Sequence, residues 1–311
     1  MSCVIEVVHE TCYDYAAPVS LAHHLAHLKP LQDDHQRLLS FELEVDPAAD
    51  QHRDGRDALG NAERHFSLSR PHERLCVRAS SLVQLEPRFA QLQPEASPAW
   101  DALLPRLCYV ARAPFEPAVE FAMPSPCVPR LPALRDYGQA SFTPGRPVAA
   151  AAIDLMQRIH ADFKYEAQST AIDTPLEDVL RQRRGVCQDF AHLMAGVMRM
   201  RGLPARYVSG YLLTHAPQGG AAMQGADASH AWVQAWCPGT PGVGSDGWLD
   251  LDPTNNLIPS SGHVRVAVGR DFGDVTPLRG VIRGSGQHNL VVRVTTRVVE
   301  PERIQEREFL A

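Results

Sequence analysis

The chain has 311 residues, 44% hydrophobic and 21% charged, enough for one large domain or two modest ones around a buried core. Its net charge of -6 comes without a basic block, which excludes nucleic acid, because neutralising phosphates needs clustered Lys and Arg. There is no Lys/Arg-rich amphipathic face for membrane docking, no run near the roughly 20 apolar residues of a membrane span, and no signal-peptide pattern in "MSCVIEVVHETCYDY", so the expected location is the cytoplasm.

The first 90 residues favour strands. In "FELEVDP", Phe41, Leu43 and Val45 fall on one face and Glu42, Glu44 and Asp46 on the other. "VIEVVHE" and "RLCVRASSLVQL" read alike, and "DPAADQHRDGRDALGN" between them is turn chemistry. This predicts an antiparallel β domain with one buried face. Eight prolines between Ala111 and Pro147 then suggest a linker that wraps the body.

Helices follow. "RPVAAAAIDLMQRIHADF" opens on Pro147 and continues with good helix formers. In "DTPLEDVLRQRRG", Thr174 is the expected N-cap, Pro175 the first helical residue and Glu177 the partner in a capping box, with Gly185 as the stop. A third helix begins at Cys187. Its apolar residues Phe190, Leu193, Met194, Val197 and Met198 form one face, and Gly202 and Pro204 end it. Strands are expected at "ARYVSGYLLT", "SHAWVQAW", "GWLDLDP", "HVRVAVGR" and "NLVVRVTTRVVE". The Gly/Ala-rich stretch from Pro217 to Ala228 precedes the second of these and is a candidate gate.

Seven cysteines with irregular spacing and no C-x-x-C argue against a disulfide framework or a zinc ribbon, and most should behave as small buried hydrophobes. Cys187 differs by its position. Unpaired backbone N–H groups and the helix dipole at a helix start favour a thiolate, and the same groups can donate to an oxyanion. Asp189, two residues on, would oppose that thiolate if it pointed at the sulfur. His192 lies about 140° around the helix from Cys187 and is expected to be a partly exposed bystander.

His230 is the candidate base. Alternation puts His230, Trp232, Gln234 and Trp236 on one strand face, and Trp248, Asp250 and Asp252 on one face of the next strand. Centring the hairpin loop on Pro241 pairs His230 with Asp252, Val233 with Leu249 and Gln234 with Trp248. A carboxylate beside the imidazole would fix its tautomer and stabilise the imidazolium. Asp250 would sit nearer Trp232. Cys187, His230 and Asp252 match no zinc-ligand spacing.

The blocks "RRGVCQDFAHLMAGVMRMRGLPARYVSGYL", "SHAWVQAW" and "GWLDLDPTNN" resemble the transglutaminase-like superfamily of cysteine-dependent acyl-transfer enzymes. The resemblance assigns Cys187 as nucleophile, His230 as base and Asp252 as its orienting acid. "VVHETCYDYAAPVSLAHHLAHLKP", "DALGN" and "LSRPHERLCV" are similar to the β-rich N-terminal region of bacterial members, and "VRVAVGRDFGDVTPLRGVIRGSG" to their C-terminal segment. Gln234 stands where many relatives carry a glutamate. A papain assignment fails, since Cys187 and His230 are 43 residues apart, against about 130–150 in papain-type enzymes.

The expected fold class is α+β: an antiparallel β domain with its proline-rich linker over residues 1–145, a papain-like, transglutaminase-like core over 146–270 with a helix-borne cysteine and a sheet carrying histidine and aspartate, and C-terminal strands over 271–311 that pack back on the body. The expected reaction cleaves an amide, peptide or isopeptide bond of a protein or peptide through a Cys187 thioester. Transamidation to an amine acceptor and a non-catalytic binding module are the alternatives. Water is always present, whereas aminolysis needs a built amine site, which favours hydrolysis. Gln188, Tyr165 and Gln168 are oxyanion candidates beside the Cys187 amide, and Trp232, Gln234 and Trp248 are substrate-cleft candidates. Neither a cofactor nor a metal is required, and oligomeric state is not legible.

Overall fold

The computed structural model describes residues 2–112, 114–167, 169–213, 229–284 and 286–299. The candidate gate and Gln168 lie outside the described residues. The N-terminal half is β1 (Cys3–Val19), β2 (Leu21–Ala26), β3 (Gln36–Asp46), β4 (Gln51–Arg56), β5 (Ala62–Leu68) and β6 (His72–Leu85). Then come α1 (Trp100–Leu103), α2 (Pro132–Gly138), α3 (Val148–Asp162), β7 (Lys164–Tyr165), α4 (Leu176–Gln182), β8 (Arg184–Gly185) and α5 (Cys187–Met200). The chain continues through β9 (Ala205–Leu212), β10 (His230–Trp236), β11 (Trp248–Leu251), β12 (His263–Gly269), β13 (Leu278–Arg283) and β14 (His288–Val298).

The α+β class holds. Two four-stranded antiparallel sheets, ordered β14-β1-β6-β3 and β13-β2-β5-β4, face each other across Val19, Leu28, Phe66, Leu68, Leu75 and Val77. Phe41, Leu43 and Val45 pack against that core, as the alternation of β3 predicts. The C-terminal strands return to this half, β14 on β1 and β13 on β2. A third sheet, β11-β10-β9-β12, is antiparallel throughout and carries α5 on one face. One apolar core runs from Ile5, Val7 and Val83 through α3 and α5 to Val233 and Leu251. A continuous core of this kind couples the halves energetically.

Several local expectations change. The proline-rich segment does more than link: its Phe121, Val128, Leu134 and Phe142 are buried in the main core. Thr174 does not cap α4. Its Oγ1 accepts from the Ala171 N–H, Pro175 stands at the cap, and Arg183 in the left-handed region (φ 55°) ends the helix. Gly185 instead pairs with Tyr165 in the parallel β7–β8 bridge. Cys12 and Cys76, read as separate small hydrophobes, face each other across β1 and β6 and form a disulfide.

β12 is an edge strand of the third sheet, and unpaired edge groups are costly when buried. Two amide side chains from the N-terminal half satisfy them. Buried Asn61 donates Nδ2 to the Val268 carbonyl and accepts from the Val268 N–H, both at 2.8 Å. Buried Gln36 donates to the Arg265 carbonyl at 2.7 Å and accepts from the Arg265 N–H at 2.8 Å. Each amide imitates one rung of a β-ladder. Asn61→Leu should therefore lower unfolding free energy by about 2–4 kcal/mol through the orphaned Val268 groups. Urea denaturation measures it, and a loss below about 0.5 kcal/mol would refute the edge-capping role.

Burial also pushes the imidazoles of His9, His24 and His192 down to about 4. An unfolded histidine titrates near 6.5. Between those values the unfolded chain binds protons that the folded chain does not, so stability falls as pH drops from about 6.5 towards 4. The melting temperature should decline across that window. Replacing His9 by Gln should make the decline shallower, and an unchanged slope would count against His9.

Candidate active site

Cys187 is the first residue of α5, after Val186 in an extended conformation. The amides of Cys187, Gln188 and Asp189 therefore precede the first intrahelical bond, which runs from Phe190 N–H to the Val186 carbonyl at 3.2 Å. Asp189 is buried, and its Oδ2 accepts from the Val186 N–H at 2.8 Å and from Thr170 Oγ1 at 2.7 Å. Its carboxylate thus faces back over the helix start. Gly185 makes room: a Cβ there would lie 2.6 Å from Asp189 Oδ2. Burial raises the Asp189 carboxyl above its usual range, against the two hydrogen bonds.

His230 opens β10, opposite Gly210 of β9, and is 1% exposed. Its Nε2 lies 2.9 Å from Asp252 Oδ2. Its Nδ1 has no hydrogen-bond partner by strict geometry, yet the Cys187 thiol stands close enough to interact with the ring. Burial alone would lower the His230 pKa. Asp252 and Cys187 outweigh it and raise it to about 10. Asp252 is fully buried, which favours its neutral acid, but His230 and His263 hold it well below the usual carboxylate range.

The hairpin register differs from the expected one by two residues. Val233 pairs with Leu251, Gln234 with Asp250, Ala235 with Leu249 and Trp236 with Trp248. A two-residue slip preserves the faces, so His230 and Asp252 still meet, now diagonally. Asp250 takes the Trp232 Nε1–H at 2.9 Å, the secondary role expected of it. His192 is not the partly exposed bystander expected: it is 4% exposed, stacks near Tyr207 and accepts from the Phe272 N–H at 3.1 Å. The reason is that α5 is sandwiched, so its polar positions are buried with its apolar ones.

Asp252 gathers five donors. Oδ1 accepts from the Thr254 and Asn255 N–H groups at 2.9 and 3.1 Å. Oδ2 accepts from His230, from Asn255 Nδ2 at 2.9 Å and from His263 Nε2 at 3.1 Å. His263 was not singled out in the sequence. Its only signal was a histidine at the head of "HVRVAVGR", one of 14 in the chain. The ligand atoms of His230, Asp252 and His263 lie within 4.8 Å of one another, a spacing that could hold a metal. With both carboxylate oxygens already accepting, the cluster reads as a hydrogen-bond network.

Cys187 and His230 line one cavity of about 260 Å³ with Tyr165, Ala167, Val186, Gln188, Tyr207, Ser209, Ser229, Ala231 and Phe272. Tyr165 and Gln188 are thus at the site, although the Gln188 amide donates to the Ile172 carbonyl at 3.1 Å. The cleft candidates lie elsewhere. Trp232 and Gln234 are buried on the sheet, and Trp248 lines a separate cavity, with the Arg206 guanidinium 3.9 Å above its ring.

Residues 5–84 match the family described as the bacterial transglutaminase-like N-terminal region, and residues 137–253 match the transglutaminase-like superfamily. Uncharacterized protein Rv2569c of Mycobacterium tuberculosis is 38% identical over 296 residues, 94% of this chain and 91% of that one. A Pseudomonas aeruginosa protein-glutamine gamma-glutamyltransferase is 36% identical over 136 residues, 42% of this chain and 19% of that one. In fold, the crystal structure of a Cytophaga hutchinsonii protein proposed to be a cysteine protease superposes with a TM-score of 0.70 at 19% identity, covering 96% of this chain and 92% of that one. With its two matched regions and a full-length relative of this identity, the chain belongs to the transglutaminase-like superfamily.

Proposed function

We propose that the protein is a thiol-dependent acyl-transfer enzyme acting on an amide, peptide or isopeptide bond of a protein or peptide. The observation that carries this reading is the shared cavity: Cys187 at a helix start and His230, backed by buried Asp252, line one small cleft. In the proposed mechanism His230 Nδ1 already holds the proton taken from Cys187, and Nε2–H stays on Asp252. The sulfur attacks the carbonyl carbon, and the Cys187 N–H stabilises the oxyanion. Tyr165 and Gln188, which line the same cavity, are the candidates for the second donor. Imidazolium protonates the leaving amine, and a thioester remains. Water, activated by His230, then releases the acid.

An amine acceptor in place of water gives transamidation. The likeness to the Pseudomonas glutamyltransferase favours keeping this second reading. No helix among the described residues is long and apolar enough to cross a membrane. The cytoplasmic expectation meets one opposing observation, the Cys12–Cys76 bridge, since such bonds persist in oxidising compartments.

At pH 7 iodoacetamide should label Cys187 at least about tenfold faster than free cysteine, because His230 raised to about 10 stays protonated beside it. As pH rises through that value the imidazolium is lost, and the rate should change to that of an isolated thiolate. Labelling no faster than free cysteine would sink the proposal. With a peptide pool, mass spectrometry should find an acyl adduct on Cys187 and none in Cys187→Ala, whose turnover falls about a thousandfold or more. Adding a primary amine separates the two readings: amide product means transamidation, and free acid alone means hydrolysis.

A further inference from the structure

His263 begins β12 and is 5% exposed. Its Nε2 lies 3.1 Å from the same Asp252 oxygen that holds His230 at 2.9 Å. A carboxylate only accepts, so the His263 proton sits on Nε2. The ring stands edge-on to Trp232, with centroids 5.2 Å apart, and at 6.1 Å from the His230 ring. Trp232 in turn stacks on His230 and donates to Asp250. The three rings and two carboxylates thus form one packed unit behind the thiol.

We infer that His263 is a positioning residue for the His230–Asp252 pair: it fixes the carboxylate and shares Oδ2, which moderates the pull of Asp252 on the His230 imidazolium. The inference rests on the acyl-transfer reading above. Oδ2 is divided among His230, His263 and Asn255 Nδ2, and an acceptor oxygen binds each donor less strongly than it would with one donor fewer. The charged and titratable groups around His263 agree with this role. Asp252 and Asp250 face it from the β11 side, His230 from β10, and Arg265 follows on its own strand. Cys187 lies beyond His230, and the β9 residue opposite His263, Leu212, is not titratable. Burial keeps the His263 ring neutral to lower pH than usual, against the attraction of Asp252. A neutral donor steadies Asp252 without cancelling its charge.

The test is the pH dependence of iodoacetamide labelling of Cys187 in the full chain, whose alkaline inflection reports His230. In His263→Leu that inflection should move up by about half to one pH unit, since Oδ2 then keeps only His230 and Asn255 Nδ2 as donors. His263→Gln, which still offers an N–H, should return it towards the wild-type position. If the leucine variant folds poorly, wild-type ¹⁵N-histidine NMR still decides. His263 should keep its proton on Nε2 and titrate below the 6.5 of an ordinary histidine. A purely structural role would lower melting temperature and labelled fraction without moving the inflection. An unmoved inflection in both variants, or a His263 that titrates near 6.5, overturns the inference and leaves the acyl-transfer reading standing. A wild-type thiol that labels like free cysteine overturns both.

Discussion

The constraint on which this structure turns is the burial of one carboxylate. Asp252 is fully enclosed, and an isolated ionised carboxylate in such a place would take up a proton or unfold its surroundings. Five donors prevent this, and they come from different parts of the chain. His230 is supplied by β10, His263 by β12, and three further groups by the turn after β11. The order of the third sheet puts the two histidines on strands separated by β9. The Gly210 of β9, opposite His230, leaves space for the Trp232 ring: a Cβ there would stand 2.5 Å from that ring. Sheet topology, glycine placement and the Asp-Pro-Thr-Asn turn thus serve the same oxygen atoms.

The same logic explains why the N-terminal sheets belong to the site though they contribute no lining residue to its cavity. β12 carries His263, and β12 is an edge. Asn61 and Gln36 complete its outer hydrogen bonds from the other half of the molecule. Arg265, two residues from His263, is clasped by Asp33 and lies 3.8 Å from Asp250. Asp250 holds the Trp232 indole under His230. A chain of named contacts therefore runs from the N-terminal half to the imidazole. It holds β12 and the indole in place behind the His230 ring.

The legible parts of this arrangement are the parts set by period. Alternation in "SHAWVQAW" and "GWLDLDP" fixes which residues share a face, and a helix start is written in the apolar spacing after Cys187. Register is not periodic. It depends on how the eleven residues from Cys237 to Gly247 fold, and their turn moved the pairing by two residues. Parity survived, so the meeting of His230 and Asp252 did too. His263 was invisible for a different reason. It reaches Asp252 through a non-sequential strand neighbour, and the tail strand carries no spacing that points to β11. His192 was misjudged because a helix read alone shows one apolar face, whereas α5 is covered on nearly all sides by its neighbours.

Asp189 shows how the environment decides what a charge does. In sequence it stands two residues from the thiol and threatens any thiolate there. In the fold its Oδ2 accepts the Val186 N–H, the donor just before the helix, and the Thr170 hydroxyl. These bonds hold the carboxylate over the entry to α5 and tie the segment containing Thr170 to the helix start. They leave the Cys187 and Gln188 amides, not the carboxylate, as the polar groups at the mouth of the helix. Gly185 is the condition for this, because a Cβ would displace the Asp189 carboxylate. The Gly-x-Cys pattern thus has a steric meaning. The glycine seats the acid behind the helix start, and the seated acid leaves the cysteine facing the histidine.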